Sequence, residues 1–380
     1  MTSPTPLYEN KVATSSSESA TSLATCNPLS STGCSADPAL ATAISDDFHS
    51  ESKHYSPYRT PSKISYSDDG LNLTLSKQYD NPSLVSNYYI MFGRMEVMLK
   101  SASGTGVISS FYLQSDDLDE IDFEWFGGYG YEVQSNFFSK GNTTTYDRGE
   151  YHQMDDPRAD FHNYTVDWTS DALKWYLDGT LIRTLDSNSS SGYPQSPMRV
   201  YFGVWAGGDS SNTEGVIEWA GGLTDYTLAP FNMQIQKLVV TDYSTGSEYK
   251  YTDDTGDWSS IQAVDGKIMG RQAKGVSEFS SLVEGEEISS SNTTDITDTT
   301  GSSETSSESE NLSASITSSS EATDSSTLTG SDTTISTITT SGSSSSSSLA
   351  SSINSTDGAL GLENSLSALA AGLLFVVSLL

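Results

Sequence analysis

Between residues 80 and 260 the chain alternates short apolar runs with turn residues. Runs of strand length and β-rich composition are Tyr88–Phe92, Met95–Leu99, Gly106–Leu113, Tyr164–Trp168, Leu173–Leu177 and Arg199–Trp205. Asp178-Gly179, between Leu173–Leu177 and Thr180–Thr184, is a two-residue hairpin signal, because the central positions of such a turn need positive φ. Helical periodicity is confined to short pieces, and no repeat of propeller length occurs. Short strands separated by turns predict an all-β sandwich of two antiparallel sheets.

The pattern does not continue to the C-terminus. All six tryptophans fall between Trp125 and Trp258, and Ser289 to Thr356 is dominated by Ser, Thr, Gly, Asp and Glu. Such a segment buries too little apolar surface to offset its ordering entropy. The expected organisation is a polar, disordered segment over 1–24, one folded domain over 25–275, a disordered, O-glycosylated Ser/Thr-rich stalk over 276–357 and a signal tail over 358–380.

Within the folded part, Asp119-Glu-Ile-Asp-Phe-Glu-Trp125 carries the candidate chemistry. Strand alternation places Ile121, Phe123 and Trp125 on one face, suited to a core, and Glu120, Asp122 and Glu124 on the other. Three facing carboxylates cannot all ionise freely. Retaining cleavage of a glycosidic bond gives them a purpose, since it uses a carboxylate nucleophile and a carboxylic acid about 5–5.5 Å apart. Residues i and i+4 of a strand are about 13 Å apart at the backbone, a gap that two Glu side chains on a curved sheet largely close. The shorter Asp122 fits between them, where it can help hold a shared proton.

Composition narrows the partners. A net charge of −32 argues against nucleic acid, although part of it resides in the stalk. His49, His54, His152 and His162 show no metal-ligand spacing, and neither metal nor cofactor is expected. Cys26 and Cys34 flank a turn-forming stretch and are expected to pair as a disulfide that pins a terminus; the alternative is two free thiols. The tail from Leu366 to Leu380 is apolar, lacks Lys and Arg, and follows a polar spacer with small residues at Asn354-Ser-Thr356 and Gly358. That order predicts a glycosylphosphatidylinositol (GPI) attachment signal, with Asn354 as the attachment residue and Gly358 second. Sequons stand at Asn72, Asn142, Asn163 and Asn188 in the folded part, and at Asn292, Asn311 and Asn354 beyond it. Met1 to Thr25 has no apolar stretch of signal-peptide length, and a misassigned start exon is the expected reason.

Glu-x-Asp-x-Glu, followed by Trp125-Phe-Gly-Gly128, resembles the catalytic strand of glycoside hydrolase family 16. The segments 132–138, 161–168, 173–179 and 204–209 also resemble that family. Val204 to Tyr226, with Ile217-Glu-Trp-Ala-Gly-Gly222, and the Cys26–Cys34 entry segment are similar to its fungal Crh subgroup. The resemblance covers roughly residues 25–270 and implies a concanavalin-like β-jelly roll with a concave, sugar-binding cleft. It also implies a double displacement in which Glu120 is the nucleophile, Asp122 the helper and Glu124 the acid/base. Phe123, on the core side, stands where the subgroup often carries Trp or an aliphatic residue.

The implied reaction cleaves chitin and transfers the sugar to β-1,3- or β-1,6-glucan or to chitin, cross-linking a fungal wall. Plain hydrolysis by the same residues, as an endo-β-glucanase or chitinase, is the alternative; a wall-anchored lectin or structural mannoprotein is a third reading. Trp205 and Trp219, each beside a Gly-Gly pair, are candidate sugar platforms. Trp168 and Trp175, inside strands, suit core and cleft equally. Gln134 and Asn136 share a strand face and are candidate amides for sugar hydroxyls. The expected protein is an extracellular monomer held at the plasma membrane and wall by a GPI lipid.

Overall fold

The computed structural model describes residues 26–288. The expectations for the N-terminal segment, the stalk beyond residue 288, Asn292, Asn311, Asn354 and the apolar tail lie outside these residues.

Two large antiparallel sheets face each other. The first, seven-stranded, runs from edge to edge as Glu150–Gln153, Glu132–Phe138, Glu120–Phe126, Val107–Ser115, Met198–Ala206, Ser83–Ser86 and Tyr55–Arg59. The second, eight-stranded, runs as Thr180–Asp186, Ala172–Leu177, His162–Trp168, Gly93–Lys100, Phe231–Asp242, Gly70–Leu75 and Ile64–Ser67, with Ala43–Asp46 also paired to Phe231–Asp242. This is the all-β jelly-roll sandwich expected from the strand pattern. Asp178 (φ 47°) and Gly179 (φ 77°) close the Ala172–Leu177/Thr180–Asp186 hairpin, both on the positive side of φ as the turn requires. A third, three-stranded sheet joins Asp37–Pro38, Glu248–Tyr251 and Ile261–Val264.

Alternation decides which residues enter the core between the sheets. Ile121, Phe123 and Trp125 point inward and are wholly buried. Phe123 and Trp125 meet Tyr164 of the second sheet edge-on, with ring centroids 5.5 and 4.6 Å away. Truncating an aromatic in such a core costs about 3–5 kcal/mol. The Trp168 and Trp175 rings are likewise wholly buried, so both are core residues rather than cleft residues. Their indole N–H groups donate to the carbonyls of Pro194 (2.9 Å) and Asp122 (3.2 Å).

Two expectations need correction. Tyr88–Phe92 is not a regular strand; it forms isolated bridges from Tyr89 to Ala39 and from Ile90 to Met198, and Phe92 sits at φ 60°. Its apolar run reflects burial rather than sheet pairing. The folded part also extends past residue 275, into a helix over Gln272–Val283. Phe279 and Leu282 of that helix are buried with Ala43 and Val239 of the second sheet. Lys237 Nζ donates to the carbonyls of Leu282 (2.6 Å) and Val283 (3.0 Å), satisfying the end of the helix. Cys26 and Cys34 form a disulfide with a Cα–Cα distance of 5.6 Å.

Candidate active site

The strand Glu120–Phe126 sits third from one edge of the first sheet, and its outward face carries Glu120, Asp122 and Glu124. On one side Gln114, Tyr112 and Ser110 lie opposite these three in register; on the other lie Phe138, Asn136 and Gln134. Each acid is therefore flanked by two residues without formal charge. All three are buried in the floor, at 4–5% exposure. The sequence expectation that Gln134 and Asn136 share a face beside the acidic strand matches this register.

The three carboxyls have unequal partners. Gln114 Nε2 donates to Glu120 Oε2 at 2.5 Å. Glu124 is hydrogen-bonded by Ser110, whose Oγ also accepts from Trp205 Nε1 at 3.2 Å. No N–H or hydroxyl donor reaches Asp122 Oδ2. Asp122 instead bonds the Glu120 carboxylate, which requires a proton between the two acids.

Burial raises all three, most strongly Asp122, which also feels the charges of Glu120 and Glu124. Glu120 is raised by burial but drawn back by its hydrogen bonds from Asp122 and Gln114. Glu124 is pushed up to about 8 by burial and the charge of Glu120, against which Ser110 acts weakly. At neutral pH Glu124 keeps its proton, while Glu120 is the acid best placed to lose one. One donor and one anion on a single strand face is the division that acid-assisted nucleophilic attack uses.

The tryptophans differ from the expected open platforms. Trp205 projects from the end of its strand onto the cleft face but is only 4% exposed, stacked on Trp219 with centroids 6.1 Å apart. Trp219 ends the short helix Glu214–Trp219 and is half-buried, meeting Phe126 edge-on. Two depressions flank the pair. One, of about 440 Å³, is lined by Arg59, Tyr79, Asn81, Trp205, Asp209 and Asn212. The other, of about 330 Å³, is lined by Phe126, Tyr129, Glu132, Tyr151, Glu218 and Trp219. Their open aromatic surface comes from Tyr79, Tyr129 and Tyr151, 76%, 50% and 51% exposed. Sequence reasoning missed these three, and also Ser110 and Gln114. The polar residues Ser110 and Gln114, on one face of the strand Val107–Ser115 with Tyr112 between them, were the available signal. Among the described residues no cluster of His, Cys, Asp or Glu has a metal-binding arrangement.

A jelly-roll sandwich with three carboxylates at alternate positions of one strand on its open face has the architecture of a glycosidase of the family-16 type. Residues 51–221 match the model for glycosyl hydrolases family 16. The chain is 58% identical over 274 residues to Congo red hypersensitive protein 1 of Saccharomyces cerevisiae, covering 72% of this chain and 54% of that protein. It is 44% identical over 270 residues to Crh-like protein 4 of Botryotinia fuckeliana, covering 70% of this chain and 71% of that protein. A solved structure described as Crh5 transglycosylase in complex with NAG is 45% identical, with a TM-score of 0.60, covering 63% of this chain and 99% of that one. The chain belongs to glycosyl hydrolase family 16, in its Crh-like branch. It spans 54% and 59% of the length of two of the curated relatives it matches, so about half of each.

Proposed function

We propose that this protein is a wall transglycosylase that cleaves chitin with retention and transfers the sugar to β-1,3- or β-1,6-glucan or to another chitin chain. The observation that carries the reading is the asymmetry of Glu120 and Glu124, four residues apart on one strand face, one held by the Gln114 amide and the other kept protonated. Likeness to a protein described as a transglycosylase and solved with NAG supports the sugar class.

In the first half-reaction a Glu120 carboxylate oxygen attacks the anomeric carbon, and the bond to the glycosidic oxygen breaks. Glu124 gives its proton to that oxygen, so the shortened chain leaves as an alcohol. Asp122 moves its shared proton toward itself as Glu120 becomes the ester. In the second half-reaction Glu124, now ionised, takes the proton of an incoming sugar hydroxyl, whose oxygen displaces Glu120. A second sugar in place of water makes the outcome transfer. Gln134 and Asn136, in register with Glu124 and Asp122, are suited to hold sugar hydroxyls, and Asn136 Oδ1 has no partner among the described residues. Trp219, half-buried and stacked on Trp205, lines the depression beside Phe126 and is suited to meet a sugar ring.

The location goes with the reading: an extracellular protein attached through a GPI lipid at Asn354, with a glycosylated stalk after the folded domain. Of the sequons in that domain, Asn142 and Asn188 are exposed, whereas Asn72 and Asn163 are half-buried, which favours the first two as glycan sites. Incubation with chitin oligomers and fluorescent glucan oligomers tests the function. A labelled product of higher mass is expected; release of reducing ends alone would leave hydrolysis.

A further inference from the structure

Arg183 lies on an edge strand of the second sheet, yet its guanidinium is buried between the sheets, with the residue 8% exposed. Nη1 donates to the Ser135 carbonyl (2.8 Å) and to Ser135 Oγ (3.0 Å), and Nη2 donates to the Arg148 carbonyl (2.6 Å). Nε lies 3.3 Å from Glu150 Oε1. The guanidinium sits 4.8 Å above the Trp175 ring and 5.4 Å from that of Phe137. Burying a cation is costly, and a sandwich edge is ordinarily closed by apolar residues.

These contacts converge on the acidic floor. Ser135 is the residue between Gln134 and Asn136, so the fork grips the strand that carries both amides. Trp175, under the guanidinium, donates to the Asp122 carbonyl and so holds the middle acid from behind. The charge completes the arrangement. Asp122 faces Glu120 and Glu124 on its own strand and Tyr112 and Asn136 on the neighbouring strands, and it feels the charge of Arg183 from behind the sheet. Of these groups Arg183 is the cation, and it favours the ionised form of Asp122 as Asp122 favours the charged form of Arg183. Arg183 itself is faced by Glu150 and by His152, whose Nε2 bonds Ser135 Oγ at 2.8 Å.

We propose that Arg183 is a positioning residue of the acidic site, fixing the strands that carry Asp122, Gln134 and Asn136 and balancing the charge under Asp122 so that it can share a proton with Glu120. The inference rests on the proposed retaining reaction. Arg183→Met removes the charge and the fork; Arg183→Lys keeps the charge and part of the bonding.

The experiment measures kcat, KM and the pH dependence of kcat/KM for transfer from chitin oligomers, in the wild-type and Asp122→Asn backgrounds. Arg183→Met is expected to lower kcat by about tenfold, with KM within about twofold, and to move the acid limb to higher pH. Arg183→Lys is expected to keep the limb in place. In the Asp122→Asn background either change is expected to have little further effect on kcat. A folded Arg183→Met with the wild-type limb, or effects that multiply with Asp122→Asn, would overturn the proposal. Should Arg183→Met fail to fold, Arg183→Lys in the two backgrounds decides it through the same non-additivity. Glu120→Gln that keeps turnover would instead sink the reaction itself, separately from any result at Arg183.

Discussion

Asp242 and Asp122 are both buried aspartates on inner strands, one in each sheet, and burial pushes both carboxyls up. Asp242 accepts from the backbone N–H groups of Ala41 (2.9 Å), Met91 (3.3 Å) and Ser244 (3.0 Å) and from the Tyr249 hydroxyl. These donors hold its rise to about 7. Asp119, beside the acidic strand, is similar: it accepts from Lys140 N (2.8 Å) and Gln195 N (2.7 Å), and it too is raised to about 7. Asp122 has no such donors, and its hydrogen-bonding neighbour is another acid. Satisfied buried acids tie loops to strands; an unsatisfied one beside two more acids is poised to exchange protons. The partner list, not burial, separates clasp from chemistry.

The largest test of that distinction is at the floor. Glu120→Gln should lower kcat by at least about 10³-fold, and Glu124→Gln by about 10²–10⁴-fold, with both proteins folded. Steady-state kinetics on chitin oligomers and a thermal melt check both halves. A folded Glu120→Gln with more than a tenth of the wild-type rate would place the nucleophile elsewhere.

The two aspartates should then part company. Asp242→Asn leaves N–H donors facing an amide with one acceptor, and should cost about 3 kcal/mol of stability with little change in kcat per folded molecule. Asp122→Asn relieves crowding and should leave stability at pH 7 unchanged or raised, while lowering kcat by about 10². Urea unfolding together with active-site titration measures both. Equal destabilisation by the two substitutions would erase the comparison.

How far this was legible in the sequence follows the same line. The two faces of the acidic strand could be read from residues 119–125 because alternation is local, and the Asp178-Gly179 hairpin because its turn chemistry is. The donors to Glu120 and Glu124, Gln114 and Ser110, come from the neighbouring strand Val107–Ser115, and pairing of strands is not written at any one position. Gln114 could be recognised as a partner of Glu120 only once those strands were neighbours. Trp205 beside Gly207 and Gly208 resembled an open platform, yet Trp219, brought in by a later helix, covers it. The helix Gln272–Val283 was passed over because its buried residues are few.

Titration gives a smaller effect. Glu124 rises from 4.5 to about 8 in the folded protein, so the folded state holds a proton that the unfolded state releases. The stability this contributes is fully present below pH 4.5 and is lost as pH rises through 8. Glu124→Gln removes that dependence, so the variant should gain on the wild type between those limits. The gain should grow as pH rises from 4.5 towards 8, with none below pH 4.5, and is read as a Tm difference that widens with pH. Melts across that range with a constant difference would remove Glu124 as the group that holds the proton.

The smallest effect falls on the donor that sets the asymmetry. Gln114 is half-buried, and its amide is the neutral donor to Glu120; Gln114→Leu removes it at nearly constant volume. A hydrogen bond to a carboxylate is worth about 1.5–3 kcal/mol when the charge is developed, and less while Asp122 shares the proton. Without it the ionised form of Glu120 is harder to reach, so the acid limb of kcat/KM should move up by about one pH unit. The alkaline limb, set by Glu124 near 8, should stay in place. On the acid side that shift lowers the rate about tenfold, and at the optimum the fall should be smaller, because only there do most molecules still combine an ionised Glu120 with a protonated Glu124. If both limbs moved together, Gln114 would be acting on the whole floor rather than on one carboxylate, and the division between Glu120 and Glu124 would have to come from Ser110 and burial alone.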